Sequence, residues 1–97
     1  MPLRVQHAPK RFVYLLRSEV TGGPYVGLTS NVETRLAAHN AGQNRSTVRD
    51  RPWQLVVTIE FQEESAAVHF ERYLKSGSGW AFAKRHLFLQ YPRERAG

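Results

Sequence analysis

The N-terminal half of the chain contains two tyrosines, an arginine and a histidine that could together cleave a phosphodiester bond. Tyr14 and Tyr25 occupy similar places in two short apolar runs, and Arg35 and His39 follow four residues apart, on one face of a helix. A guanidinium neutralises charge on a phosphoryl group, and an imidazole accepts a proton from a phenol or orients a water molecule. Taken singly, each side chain has an ordinary explanation, as an amphipathic strand tyrosine or a surface helix residue.

Glu71 adds a carboxylate to this set. It lies four residues after Ala67 and three before Leu74, which in a helix places it beside the apolar stripe. A carboxylate there needs a partner, because burying an unpaired ion costs on the order of several kcal/mol. Two partners fit the sequence. One is an ion pair with Arg35, and the other is Mg²⁺, which takes one or two carboxylates and completes its shell with water and phosphate oxygens.

The elements that position these side chains follow from apolar periodicity and turn residues. The runs around Tyr14 and Tyr25, separated by Gly22-Gly23-Pro24, predict a hairpin whose first strand is covered on both faces. Ser30-Asn31-Val32-Glu33 matches a capping box in which the serine is the N-cap. The helix that starts there should stop at Gly42. Two roles are open for Asn40, which follows His39: it supports the site or, in the slightly favoured interpretation, it caps the helix end.

The second half of the chain predicts a loop, a strand and two helices. Residues 43–52 are polar and basic, and strict alternation from Trp53 to Phe61 predicts a half-buried strand with every second side chain inward. Helices are predicted over about 63–75 and from Trp80 to about residue 89, with Gly77-Ser78-Gly79 as the break between them. The order ββαβαα indicates an α/β protein of the α+β type.

Length and composition indicate one globular domain with flexible ends. A single core typically occupies ~100 to 150 residues, and this chain has 97 residues, 41% of them hydrophobic. Residues 1–10 and 91–97 lack periodicity, which predicts a flexible N-terminal arm and a flexible basic tail around a domain over 11–90. The absence of cysteine excludes a disulfide framework, a thiolate zinc site and a cysteine nucleophile.

The charge balance favours a polyanionic partner. The net charge is +6 and the predicted pI is about 10.3, so nucleic acid is the first expectation. No segment resembles a signal peptide or approaches the ~18 apolar residues needed to span a bilayer. A cytoplasmic location without a membrane partner is therefore expected.

The ordered set of motifs resembles the GIY-YIG nuclease domain family, and most closely its small stand-alone members. The resemblance covers roughly residues 11 to 87 and rests on the two tyrosine motifs, Phe12-Val13-Tyr14 and Tyr25-Val26-Gly27, followed by Arg35, His39 and Glu71. Further similar segments are Tyr14-Leu15-Leu16-Arg17, Gly27-Leu28-Thr29-Ser30-Asn31, His39-Asn40-Ala41-Gly42, Arg51-Pro52-Trp53 and Glu71-Arg72-Tyr73-Leu74-Lys75.

The resemblance implies a small three-stranded antiparallel sheet flanked by three helices, and a metal-dependent endonuclease. Tyr14 and Tyr25 would jointly position or deprotonate the attacking water, Arg35 would hold the phosphate, and His39 would accept a proton. Glu71 would hold the divalent metal, Mg²⁺ or Mn²⁺. DNA is favoured over RNA as substrate, in branched, flapped or damaged structures that arise in DNA repair or recombination.

Five basic side chains could form a track for the phosphate backbone, whose contacts supply most non-specific affinity. They are Arg45, Arg49, Arg51, Lys75 and Lys84. The competing interpretation of these residues is a solvated surface. His69 and His86 lack comparable neighbours and are expected to be structural or solvated.

Three differences from the family pattern support an alternative function. Phe12 stands where the first motif has glycine, Leu28 where some members have lysine, and Ala83 and Lys84 in the region where many have a site asparagine. The alternative is a non-catalytic module that keeps the fold and binds nucleic acid or a protein partner. A third interpretation is that the chain is a subunit whose substrate specificity comes from a larger protein partner.

Overall fold

The computed structural model describes residues 8–88 and contains the predicted ββαβαα order. The elements are β1 (Phe12–Ser18), β2 (Pro24–Thr29), α1 (Val32–Asn40), β3 (Trp53–Glu60), α2 (Glu64–Leu74) and α3 (Gly77–His86). The loop predicted over 43–52 also contains a short 3₁₀ turn, Val48–Asp50. The expected basic tail, most of the expected arm and the last two residues of the predicted domain lie outside the described residues.

The sheet has three antiparallel strands in the order β2-β1-β3, so β1 is central. Its consecutive residues 13–16 are fully buried, which confirms that this strand is covered on both faces. Val13 and Leu15 pack with side chains of α2 and α3, whereas Tyr14 and Leu16 pack with Trp53 and with side chains of α1. The alternation of side chains along a strand therefore directs Tyr14 to the face that α1 covers.

Strand β3 does not keep the strict alternation that its sequence predicts. Val57 pairs with Leu15, but Leu55 pairs with Leu16, so Val56 is an extra residue at a register shift. Directly paired residues share a face, and one extra residue moves all later side chains to the other face. Leu55 therefore does not share a face with Val57, and it is 42% exposed. The prediction that every second side chain from residue 53 to 61 points inward was wrong.

Helix termini differ from the predictions where a neighbouring side chain provides the cap. The N-cap of α1 is Asn31 and not Ser30, because the Asn31 side chain accepts a hydrogen bond from the Thr34 amide at 3.0 Å. Helix α3 begins at Gly77, ahead of the predicted start, because the Ser76 hydroxyl accepts from a first-turn amide. The stop at Gly42 is confirmed by its left-handed backbone, with φ of 81°.

Over residues 8–88, every helix is too short and too polar to cross a lipid bilayer. The longest of them, α2, has 11 residues.

Candidate active site

Both motif tyrosines and the histidine meet on the α1 face of the sheet. Tyr25 pairs with Leu16 across β1 and β2, which places the Tyr25 side chain on the same face as Tyr14. The ring centroids of Tyr14 and Tyr25 are 6.1 Å apart, and the imidazole of His39 lies 5.9 Å from the first and 4.9 Å from the second. The structure thus brings together three side chains that are separate in the sequence.

Gly27 makes room for the phenol of Tyr14. The two residues are paired directly across the β1–β2 ladder. A Cβ atom at Gly27 would lie 2.5 Å from Tyr14 Oη and would also overlap the ring carbons. The glycine of the second motif is therefore needed because the Tyr14 ring lies across the backbone of β2.

Tyr14, His39 and Thr47 form a buried hydrogen-bonded chain. His39 Nε2 lies 2.9 Å from Tyr14 Oη, and its Nδ1 lies 2.8 Å from Thr47 Oγ1. Tyr14 and His39 are 0% exposed and Thr47 is 2% exposed. His39 is therefore not the surface helix residue that it would be if considered alone. Thr47 was missed in the sequence because it lies in a polar loop and no motif marks it.

The environment keeps both members of the Tyr14–His39 pair uncharged. Burial raises the pKa of Tyr14, and the nearby Arg35 guanidinium opposes this only in part. Burial lowers the pKa of His39, and the positive charge of Arg35 lowers it further. At neutral pH a protonated phenol therefore faces a neutral imidazole, which is a proton donor beside a proton acceptor.

Arg35 brings an unsatisfied donor to the same place. Its Nε is buried and has no hydrogen-bond partner within residues 8–88. A buried donor without a partner costs about 1–3 kcal/mol, so such groups call for an explanation. A phosphate oxygen is an acceptor that matches a guanidinium in both charge and geometry.

Glu71 is held by a lysine and not by Arg35. Its Oε2 lies 2.7 Å from Lys75 Nζ, one helical turn further along α2, and its side chain is 16% exposed. The predicted alternative of a Glu71–Arg35 ion pair was therefore wrong, because α2 and α1 lie on opposite faces of the sheet. Within the described residues, no hydrogen bond or ion pair joins Glu71 to either motif tyrosine, to Arg35 or to His39.

Clusters of potential metal ligands are absent from the part of the chain that the structure describes. No three His, Asp or Glu side chains lie together in a way that could hold an ion. His69 and His86 are exposed, and the ring contact of His86 is with Phe82, away from the tyrosines. A divalent ion would thus depend on Glu71, water and substrate oxygens.

The five basic residues of the predicted phosphate track have different surroundings. Arg45 and Arg49 are exposed in the loop after α1. The guanidinium of Arg51 packs against Gly42 at the end of α1, and Lys84 Nζ lies 5.8 Å from the ring centroid of Trp80. Lys75, in addition to pairing with Glu71, lines an open cleft of about 400 Å³.

Asn40 does not cap α1, so the favoured one of its two predicted roles was wrong. Its Oδ1 accepts a hydrogen bond from the Trp53 amide at 2.6 Å, and its Nδ2 donates to the Trp53 carbonyl at 3.1 Å. Asn40 therefore connects the end of α1 to the start of β3. This connection helps to hold His39, the preceding residue, in place.

Residues 10–80 match the family model described as the GIY-YIG catalytic domain. The chain belongs to the GIY-YIG family. It is 41% identical over 70 residues to a UPF0213 protein of Natronomonas pharaonis, covering 71% of this chain and 81% of that protein. It is 37% identical over 70 residues to a UPF0213 protein of Staphylococcus haemolyticus, covering 71% and 84%. A solution NMR structure of a UPF0213 protein from Bacillus halodurans has a TM-score of 0.49 and 28% identity, covering 78% and 83%.

The departures of this GIY-YIG domain from the family pattern have structural explanations. Phe12 has an ordinary extended backbone at the start of β1, since positive φ angles among the described residues are confined to glycine. Leu28 packs against the core beneath α2 and α3. Ala83 is fully buried in that core, so α3 presents no polar side chain at this position. Leu28 and Ala83 thus belong to the cluster on the face of the sheet opposite the Tyr14–His39 pair.

Proposed function

We propose that this protein is a metal-dependent endonuclease that hydrolyses phosphodiester bonds of nucleic acid, with DNA favoured over RNA. Membership of a nuclease family implies a nucleic-acid substrate. The observation that carries the proposal is the buried Tyr14–His39 hydrogen bond, next to a guanidinium whose Nε has no partner. This combination offers a proton acceptor and a phosphate ligand at one place.

In the proposed reaction a water oxygen attacks phosphorus in line with the leaving oxygen. The phosphorus–oxygen bond to the leaving group breaks as the bond to water forms. Arg35 binds a non-bridging oxygen and neutralises the charge that develops there. The water loses its proton to the tyrosine pair at Tyr25, which is partly exposed, and the buried Tyr14 passes a phenolic proton to His39 in exchange. We assign the two phenols jointly, since both contact the imidazole.

Glu71 is the side chain that would hold a divalent ion. Mg²⁺ needs one or two carboxylates and retains several waters, which fits a single, partly exposed glutamate. The ion would polarise the phosphate and stabilise the leaving oxygen of a substrate that extends from the α1 face, where Arg35 lies, to Glu71 on the α2 face. In this structure, the ammonium of Lys75 provides the positive charge beside the Glu71 carboxylate. Because Lys75 is 55% exposed, this ion pair contributes only ~0–1 kcal/mol. A metal ion can therefore replace Lys75 beside the carboxylate.

Metal binding can be measured without any substrate. In a Mn²⁺ titration followed by electron paramagnetic resonance, Lys75→Met should bind the ion several-fold more tightly than the wild type, because the competing ammonium is gone. Glu71→Gln should abolish that binding. Equal affinity in all three proteins would show that Glu71 is not the metal ligand.

The activity is tested with purified protein and Mg²⁺ on branched, flapped and single-stranded DNA and on RNA. Cleavage is expected in the wild type and should be lost in Arg35→Ala and in Glu71→Ala. Arg85→Ala and Glu63→Ala, which change exposed residues of the same types, should cleave like the wild type. Cleavage that persists in both Arg35→Ala and Glu71→Ala would refute the assignment.

The alternative is a binding module without catalysis, which the non-polar residues Leu28 and Ala83 favour. It predicts salt-dependent binding of nucleic acid that does not require a metal. Turnover that depends on Mg²⁺ would exclude it. We extend the main proposal to a role in DNA repair or recombination and to a larger partner protein that supplies specificity. Cleavage of branched or flapped DNA in the substrate panel is the first test of these extensions.

A further inference from the structure

The hydrogen-bonded chain of the site continues through Thr47 into the backbone. Thr47 Oγ1 lies 2.8 Å from His39 Nδ1 and 3.4 Å from the carbonyl oxygen of Asn44, which can only accept. The Arg35 guanidinium, which can only donate, and the Tyr25 hydroxyl are the other hydrogen-bonding groups beside the Tyr14 hydroxyl. The chain therefore runs from a phenol, through an imidazole and a hydroxyl, to a carbonyl oxygen.

Two arrangements of the protons have to be compared. In the first, the Thr47 hydroxyl donates to the Asn44 carbonyl and accepts from His39 Nδ1–H. His39 Nε2 is then an acceptor for the Tyr14 hydroxyl, and every polar hydrogen in the chain has a partner. In the second, Thr47 donates to Nδ1, and Nε2–H points at Tyr14. The Tyr14 oxygen then faces two donors, Nε2–H and the Arg35 guanidinium, its hydrogen is left to Tyr25, and the Asn44 carbonyl loses the Thr47 hydroxyl, which is less favourable.

Thr47 is held rigidly enough to impose this choice. Its amide donates to the Asn44 carbonyl at 3.1 Å, and its own carbonyl accepts from the indole Nε1 of Trp53 at 3.0 Å. The residue is 2% exposed, so water does not compete for its hydroxyl. The backbone of Thr47 is thus held on both sides, and its hydroxyl lies between His39 Nδ1 and the Asn44 carbonyl.

We propose that Thr47 is a positioning residue that holds His39 in the Nδ1–H tautomer, so that the free Nε2 lone pair faces the Tyr14 hydroxyl. Its importance for catalysis rests on the proposed nuclease function, whereas the tautomer itself does not. Without this contact an imidazole could present Nε2–H to the phenol, and it could then accept no proton from it. The proposal gives a role to a residue outside the family motifs.

The tautomer is read directly from the ¹⁵N chemical shifts of His39 at pH 7.5, without metal or nucleic acid. Wild type and Thr47→Ser should show a protonated Nδ1 and an unprotonated Nε2. Thr47→Val has a similar shape but no acceptor, so its His39 should change to the Nε2–H form. A wild-type spectrum with Nε2–H would overturn the proposal, and so would a folded Thr47→Val with an unchanged spectrum. If Thr47→Val does not fold, the wild-type spectrum still decides.

Kinetics then separate this proposal from the nuclease assignment. If the protein cleaves DNA, kcat should fall at least ~10-fold in Thr47→Val, within the range attributed to general base catalysis, and should be restored to within about twofold by Thr47→Ser. If the tautomer is as expected and no variant or wild type cleaves any substrate, the nuclease proposal fails and the positioning role stands. If cleavage is normal in a Thr47→Val that has changed tautomer, Thr47 has no catalytic importance.

Discussion

The polar chemistry of this protein depends on a few side chains that are buried more deeply than their types would suggest. Tyr14 and His39 are both inaccessible to solvent, yet each keeps a hydrogen-bond partner. A buried hydroxyl that satisfies a buried imidazole contributes to stability as well as to any chemistry. The two tyrosines can therefore be distinguished by stability measurements, although the sequence motifs treat them alike.

Tyr14→Phe should lower the free energy of unfolding by ~1–3 kcal/mol, because His39 Nε2 would remain buried without its partner. Tyr25→Phe is the matched control. Tyr25 is only partly buried, and its hydroxyl interacts with Tyr14 but not with the ring nitrogens of His39, so its loss should cost less, under ~1 kcal/mol. Urea denaturation monitored by circular dichroism measures both. Equal losses would contradict the assigned hydrogen bond.

His39 should make stability dependent on pH in the acidic range. Its folded pKa lies below the ~6.5 of an unfolded chain, so the unfolded state binds more protons as the pH falls. This stabilisation should be fully present above pH ~6.5 and decline as the pH falls toward the folded pKa. His39→Gln should lack that part of the slope in urea denaturation between pH 7.5 and 5. His69→Gln, at an exposed position, should retain it.

At the scale of the secondary-structure elements, individual strands and helices position the site by bringing their residues close to the Tyr14 side chain. The β1–β2 register places Gly27 against the Tyr14 ring, and α1 brings His39 Nε2 to the hydroxyl of the same phenol. Neither of these two contacts with Tyr14 depends on Phe12, whose backbone is that of an ordinary strand. Replacement of the first glycine of the family motif is therefore compatible with an intact tyrosine pair.

Gly27→Ala should destabilise the fold by about 1–3 kcal/mol, because the added methyl group overlaps the Tyr14 ring and must displace it. Gly77→Ala serves as control. A Cβ there meets no atom within 4 Å at the start of α3, so the change should be neutral or stabilising by up to ~1 kcal/mol. Thermal and urea denaturation compare the two. A neutral Gly27→Ala would show that the phenol is not held at this position.

At the scale of the whole molecule, a net charge of +6 supplies the long-range attraction for a nucleic acid. Among the described residues of the predicted phosphate track, some are exposed and others already contact a neighbouring group. Arg45 and Arg49 are exposed, whereas Lys75 already neutralises Glu71. The arginines of the loop after α1 are thus the better candidates for backbone contacts.

The double variant Arg45→Gln and Arg49→Gln should weaken DNA binding and flatten its salt dependence. Each phosphate contact contributes about 0.9 to the slope of log K against log salt for duplex DNA, so the loss of two should reduce it by roughly 1.8. Fluorescence anisotropy from 50 to 200 mM salt, in a Glu71→Gln background, avoids cleavage. Arg85→Gln is the control outside this loop. An unchanged slope in the double variant would place the track elsewhere.

Local sequence determined much of this protein. The apolar runs around Tyr14 and Tyr25, the stop at Gly42 and the element order are confirmed, because short-range sterics and burial patterns decide them. The spacing of the motifs was sufficient for the family. Prediction failed at the Asn31 and Ser76 caps, which depend on single hydrogen bonds for which neighbouring residues compete, and at the bulge of Val56, which depends on how β3 pairs with β1.

Tertiary structure alone decided which partners these side chains have. No local pattern shows that Thr47 lies against His39 or that Asn40 binds Trp53, and the i,i+4 spacing that allows Glu71 to pair with Lys75 does not by itself exclude Arg35 as its partner. These contacts arise when the sheet separates α1 from α2 and folds a polar loop over the end of α1. The sequence therefore determined which chemical groups this protein has, and the packing of distant segments determined which of them are buried together, because burial and long-range contact are properties of the whole fold.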